Sequence, residues 1–362
     1  MSLELKNIRL VEGGEDWISD VSLTFNQGIN VLVGPNLAGK TTLMRIIAGL
    51  TKPTEGSLWL NGVDITDLSV QKRSVSFVYQ QFINYPAFSV FDNIASPLKV
   101  ADEKFSKELI TARVEELATL LGLTPLLKRK PDELSGGQQQ RVAIARALAR
   151  KADLVLLDEP LANLDYKLRE QLREELQEIF AETDNVVLYS TAEPSEALDF
   201  ATHTVVMNQG SVQQVGDALG LYQNPASMTV AEALSDPPIN LVSSKSSAKN
   251  ISFGSVSIPF THKSIGDRAS FTLGLQPHRI HLYREHSSDI EFHGVVQLAE
   301  VTGSITYIHL TLDTDEYVVI EIDGAHPVDP DTRVTGFFPV SELYGFDTET
   351  GETLFVPKTG VK

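Results

Sequence analysis

Between Ile29 and Ala48 the chain reads INVLV, then GPNLAGKTT, then LMRIIA. An apolar run, a glycine-rich turn and a helical pattern in that order describe a buried parallel strand that feeds a phosphate-binding loop. The turn fits glycine, four residues, then Gly-Lys-Thr. In such a loop the backbone along Gly34, Pro35, Asn36, Leu37, Ala38 and Gly39 wraps a β-phosphate with its N–H groups, proline excepted. A helix starting near Gly39 favours negative charge at its N-terminus, Lys40 neutralises the outer phosphates, the Thr41 hydroxyl ligates Mg²⁺, and Thr42 continues the first turn. A chance glycine turn before a helix is the competing reading, and it weakens with each further motif.

The second motif is LVLLDEP, Leu154 to Pro160. Asp158 closes an apolar strand and Glu159 follows it, so one carboxylate can face a metal shell and the next an attacking water. Alone, an acidic pair after a strand is more often a helix cap; behind a phosphate loop the balance reverses. The third is LSGGQQQR, in which Ser135, Gly136, Gly137 and Gln138 open a helix whose free N–H groups can hold an anion. A simple capped helix start would look the same in isolation.

Alternating α and β patterns up to residue 235 imply a mainly parallel sheet, with a helical stretch at about 88–150. The segment from Leu164 to Phe180 carries Leu164, Leu168, Leu172, Leu176 and Ile179 on one stripe. After SDPPINLV the character changes to short alternating strands such as TYIHLTL and YVVIEI, which predicts a separate small β-barrel over 236–362. The expected fold class is therefore α/β for the first domain and all-β for the second. No apolar run approaches the ~18 residues of a membrane helix, no secretory signal is visible at MSLELKNIRL, and the absence of cysteine excludes disulfides. A net charge of −18 argues against broad adhesion to nucleic acid or anionic lipid.

The order of phosphate loop, LSGGQ, acidic strand and the turn LANLD resembles that of the ATP-binding-cassette ATPases over the first 235 residues. That resemblance implies a P-loop ATPase domain with a helical subdomain and an OB-like barrel behind it. It implies ATP and Mg²⁺ as cofactors, with Thr41, Gln80 and Asp158 at the metal, Glu159 as catalytic base, and Gln80 in a glutamine loop, VYQQFINYPAFSVFDNI. It also implies a head-to-tail dimer in which the LSGGQ of one subunit closes over ATP on the other. The stretches LGLQPHRIHL and EVTGSITYIHL resemble the barrel of importer ATPases of the maltose and glycerol-phosphate type. QQFINYP, LANLDYKLREQLREEL, STAEPSEAL and SDPPIN look most like an ATPase subunit of bacterial glycerol importers. The resemblance then implies two membrane permeases, a second ATPase subunit, a periplasmic solute-binding protein acting indirectly, and a place on the cytoplasmic face of the bacterial inner membrane. Residues around Phe82 to Phe88 would receive the permease.

Three positions depart from that family pattern. Leu37 stands where glycine is common, tolerable if its backbone keeps an ordinary φ. No aromatic stands in register to stack on adenine in RLVEGGEDW, and Trp17 reads as a core residue of the strand WISDVSLTF. Third, Thr191, Ala192 and Glu193 occupy the place of the family's threonine-histidine-aspartate, and a methyl group cannot donate a hydrogen bond to a γ-phosphate. Loss of one preorganised donor costs about 2.7–4 kcal/mol of transition-state stabilisation. The reading is an import ATPase whose own site is impaired and whose intact signature completes a partner's site. A nucleotide-binding scaffold that hydrolyses little is the alternative, and a cassette acting on nucleic acid is disfavoured by charge.

Overall fold

The chain, a computed structural model, is described for residues 1–362 except 82, 101–104, 163, 182–183, 201–202, 248 and 358–362. It forms two compact units, 1–218 and 219–362. In chain order the first holds β1 (Ser2–Glu12), β2 (Glu15–Asn26), β3 (Gly28–Val33), α1 (Lys40–Ala48), β4 (Glu55–Leu60), β5 (Val63–Asp64), β6 (Val75–Val78), α2 (Val90–Lys99), α3 (Lys107–Leu120) and α4 (Gly136–Ala149). It continues with β7 (Leu154–Asp158), α5 (Tyr166–Ala181), β8 (Val186–Thr191), α6 (Pro194–Phe200), β9 (His203–Asn208) and β10 (Ser211–Gly216).

Two sheets result. One is antiparallel, in the order β2-β1-β4-β5; the other runs β10-β9-β3-β8-β7-β6 and is parallel except where β9 meets β10. The fully apolar runs VLV of β3, LVLL of β7 and VVL of β8 are buried throughout, as strands covered on both faces must be. Helix α1 begins directly after Gly39, where the sequence predicts its start. Its Leu43, Met44, Ile46 and Ile47 share one core with side chains of both sheets, each contributing roughly 1.5–3 kcal/mol by leaving water. That anchoring fixes the loop ahead of α1 against the ends of the parallel strands. In the helical region α2 packs on α3 and α4. Within α5 the expected stripe is seen at Leu172 and Leu176, fully buried, with Leu168 and Ile179 half-buried; Leu164 is buried but precedes the helix.

The second unit contains α7 (Ala218–Gln223), which begins at its edge, and α8 (Met228–Ala233). Then come β11 (Asn240–Ser247), β12 (Asn250–Phe253), β13 (Val256–Pro259), β14 (Ser270–Leu275), β15 (Ile290–Val301), β16 (Ile305–Leu312), β17 (Tyr317–Asp323), β18 (Arg333–Phe338), β19 (Tyr344–Phe346) and β20 (Thr353–Phe355). They pair antiparallel in two sheets, β13-β12-β11-β14-β19-β20 and β17-β16-β15-β18, around one core that includes Phe271, Phe292, Ile308, Leu310 and Phe338. The compact division falls earlier than the sequence break at 235/236. Met228 and Ala231 of α8 pack with Ile239, Tyr344 and Phe346, so that helix belongs to the second unit.

Candidate nucleotide site

The loop before α1 is shaped by what cannot fit. A β-carbon on Gly34 would lie 2.2 Å from the Met207 carbonyl oxygen, and Gly39 takes φ 98° with Gly210 and Ile18 closing on it. Leu37 also lies in the left-handed region, at φ 68°, with its side chain 96% exposed. The ordinary φ that sequence reading asked of Leu37 is therefore not what the loop adopts. The turn needs a left-handed residue there, and leucine bears the strain of its own Cβ.

Lys40 is buried, and its Nζ donates to the carbonyl oxygens of Gly34 (2.7 Å) and Pro35 (3.0 Å) and pairs with Glu159 Oε1 at 3.3 Å. A phosphate arriving in the loop can take over this cation without bringing it out of the interior. The Thr41 hydroxyl donates to Asp158 Oδ1 at 2.9 Å, although 117 residues separate them. Gln80 Nε2 donates to Glu159 Oε2 at 2.7 Å. Thus Lys40, Thr41, Gln80, Asp158 and Glu159 form one connected group. Burial pushes the Asp158 carboxyl above the usual carboxylate range, opposed by hydrogen bonds from Ser190 and Thr41. A divalent cation would remove that penalty, and a hydroxyl beside a carboxylate is the oxygen donor set Mg²⁺ accepts. Among the described residues no three acidic, histidine or cysteine side chains converge as a metal cage. Mg²⁺ usually keeps several waters and takes only one or two carboxylates beside phosphates, which suits a single carboxylate next to a hydroxyl.

A cleft of about 580 Å³ opens over the loop; Glu15 to Trp17, Asn36 to Thr42, Gln80, Glu159, Gln209 and Gly210 line it. Trp17 is the main correction to the sequence reading: it is not a core residue but is half exposed in this cleft. Two irregularities in the β1/β2 ladder explain it. Val21, Leu23 and Phe25 face the core, but the pairing slips between Ile8↔Val21 and Leu10↔Ile18, and again before Val11↔Asp16. Ile18 takes the inward place and Trp17, unpaired between them, turns outward. Bulges beside active sites commonly re-aim a side chain in this way. Gly210 holds the turn close, since a β-carbon there would lie 2.4 Å from the Trp17 carbonyl oxygen.

A family model described as ABC transporter matches residues 18–162, and one described as TOBE domain matches 273–339. The xylose/arabinose import ATP-binding protein of Haloferax volcanii is 36% identical over 95% of this chain and 92% of its own length. The sn-glycerol-3-phosphate import ATP-binding protein of Escherichia coli is 36% identical over 89% and 90%, and the alpha-glucoside transport ATP-binding protein of Rhizobium meliloti 35% over 96% and 97%. A solved dimeric ATP-binding cassette, in a post-hydrolysis state with ADP and Pi, is 30% identical, with TM-score 0.54 over 60% of this chain and 98% of that one. This chain belongs to the ABC transporter family. It is an ATP-binding import subunit of that family, with an ABC ATPase cassette followed by an all-β region bearing the TOBE domain.

In this ABC ATPase the signature lies apart from the cleft: none of Ser135, Gly136, Gly137 or Gln138 lines it. Ser135 caps α4 by accepting from Gln138 N–H, while Gln138 Oε1 accepts from Ser135 N–H at 3.1 Å. Ser135 and Gly136 are exposed, whereas Gly137 is buried beneath Leu168 and Leu164 of the following segment. Ala192 is exposed at the end of β8 and also does not line the cleft; its neighbours are held locally, Glu193 N–H donating to Thr191 Oγ1 and Glu193 pairing with Arg169. The residue that sequence reasoning underused is Ser190. Its hydroxyl donates to Asp158 Oδ1 and accepts from the Glu159 backbone N–H.

Proposed function

We propose that this chain binds MgATP on its own phosphate loop, hydrolyses it slowly, and lends its signature to a second, unlike ATPase in an importer for a small polyol or sugar-like solute, glycerol first among them. In this reading Lys40 and the loop N–H groups hold the phosphates, Thr41, Gln80 and Asp158 hold Mg²⁺, Glu159 is the base, and Trp17 stacks on the base of the nucleotide. Mg²⁺ supplies charge stabilisation to the terminal phosphates when bound. The observation that carries the asymmetry is the pairing of an intact LSGGQ outside the cleft with Ala192 where a donor is needed. Ser135 to Gln138 then serve ATP on another polypeptide.

The polyhydroxylated solutes named for the relatives support a carbohydrate-like cargo. Membrane permeases would dock after Gln80, where Ile83, Tyr85 and Phe88 are exposed apolar side chains; Phe82 lies outside the described residues. The chain would then work at the cytoplasmic face of the membrane, with a periplasmic binding protein delivering the solute; among the described residues no helix is long and apolar enough to cross a membrane.

The test is ATP turnover by the chain alone and co-expressed with the ATPase and permeases encoded beside it, each with Glu159→Gln and Ala192→His. Activity that appears only in the mixed complex and survives Glu159→Gln supports the lent signature. Turnover by the chain alone at the full rate, abolished by Glu159→Gln, would sink it. Uptake of labelled glycerol against labelled sugars by the same complex tests the solute.

A further inference from the structure

We infer that Ser190 is a positioning residue whose buried hydroxyl holds both carboxylate residues of the site, and that it sets how strongly Mg²⁺ assists nucleotide binding. The inference rests on the reading that MgATP occupies this chain's own loop. Parallel pairing of β7 with β8 sets Ser190 opposite Asp158. Ser190 has no exposed surface; its Oγ donates to Asp158 Oδ1 at 2.7 Å and accepts from Glu159 N–H at 3.1 Å. The Ser190 carbonyl oxygen accepts from that same N–H at 3.1 Å.

Both contacts matter because of what they restrain. Glu159 has φ 44°, a left-handed backbone that costs an ordinary residue on the order of 1–2 kcal/mol and persists only where the surroundings over-determine it. Ser190 receives the Glu159 N–H through two oxygens at once. On its other side it fixes which way Asp158 Oδ1 faces. Thr41 also donates to that oxygen, but Thr41 lines the cleft and its own oxygen is the one a metal would claim. Ser190 is wholly buried and does not line the cleft, so its hydroxyl is not offered to an entering ligand. A hydroxyl in a wholly buried strand position is costly unless satisfied, and here its donor and acceptor capacities are both spent on the two site residues.

Threonine and valine at this position have nearly the same shape and differ in the hydroxyl. The experiment measures binding of a non-hydrolysable ATP analogue to the full chain by titration calorimetry, in Mg²⁺ and in EDTA, for the parent, Ser190→Thr and Ser190→Val. The parent and Ser190→Thr should share one Mg²⁺ enhancement. Ser190→Val should lose about tenfold of it, the size of a hydrogen bond to a charged group, with metal-free affinity unchanged within about twofold. A general loss of fold would instead lower both affinities together. Ser190→Ala needs no extra space and must reproduce the valine loss. Full enhancement in both hydroxyl-free variants, or equal losses with and without metal, overturns the inference. If the parent binds no nucleotide under either condition, the reading of an occupied loop falls first and takes this one with it.

Discussion

Burial strips water from Asp158 and raises its carboxyl above the usual carboxylate range, while the Ser190 and Thr41 hydroxyls pull it back. A group whose folded pKa exceeds its unfolded value binds protons preferentially in the folded state. The stability it contributes is complete below about pH 3.9 and is lost as pH rises through the raised value. In the absence of nucleotide and Mg²⁺, Asp158→Asn should therefore melt higher than the parent at pH 7. The gap should close toward pH 4. Calorimetry across that range checks it, and an Asn variant melting lower at pH 7 contradicts it. Leu37 offers a second case. Its side chain is almost wholly exposed, so Leu37→Gly loses no packing while releasing the left-handed strain. The urea midpoint should rise by an amount corresponding to about 0.5–1 kcal/mol, with an unchanged slope.

Among the elements, α4 and α5 are coupled through one missing side chain. A β-carbon on Gly137 would stand 1.9 Å from Leu168 Cδ2. Gly137→Ala should cost about 1–3 kcal/mol from overpacking, and adding Leu168→Ala should recover part of it; independent, additive losses in a double-mutant cycle would refute the coupling. How far such elements were legible follows from the range of the forces that shape them. Helix α1, the buried strand before Asp158 and the alternation of ITYIHLTL with its buried partners are visible in sequence, because period and local turn chemistry fix them. The outward turn of Trp17 was not, since the slip between Val21 and Ile18 in pairing with β1 reverses the parity of WISDVSLTF, and the adjacent apolar pair Trp17 and Ile18 does not tell which one faces in. Ser190 was invisible as a partner of Asp158 for a related reason: the register of β7 on β8 is set by residues far apart in the chain. Leu37 was misjudged because a left-handed φ is set by closure of the whole loop.

For the whole molecule the excess of acid dominates encounter. With a net charge of −18, long-range repulsion opposes an approaching nucleotide, even though Lys40 and the loop attract it at contact. Added salt screens the long-range term first. Association of MgATP, followed by rapid mixing, should accelerate roughly two- to threefold between 20 and 200 mM salt; a rate that falls with salt would mean that the local field governs. The chain contains two tryptophans, Trp17 and Trp59, and only Trp17 lines the cleft. Trp59 lies on β4 with the Lys6 ammonium 4.7 Å from its ring. The bulge that turns Trp17 outward therefore gives the molecule a built-in optical gauge of occupancy. Its indole emission should quench as an adenine ring stacks on it, over a constant background from Trp59, and Trp17→Phe should leave that background dark to nucleotide.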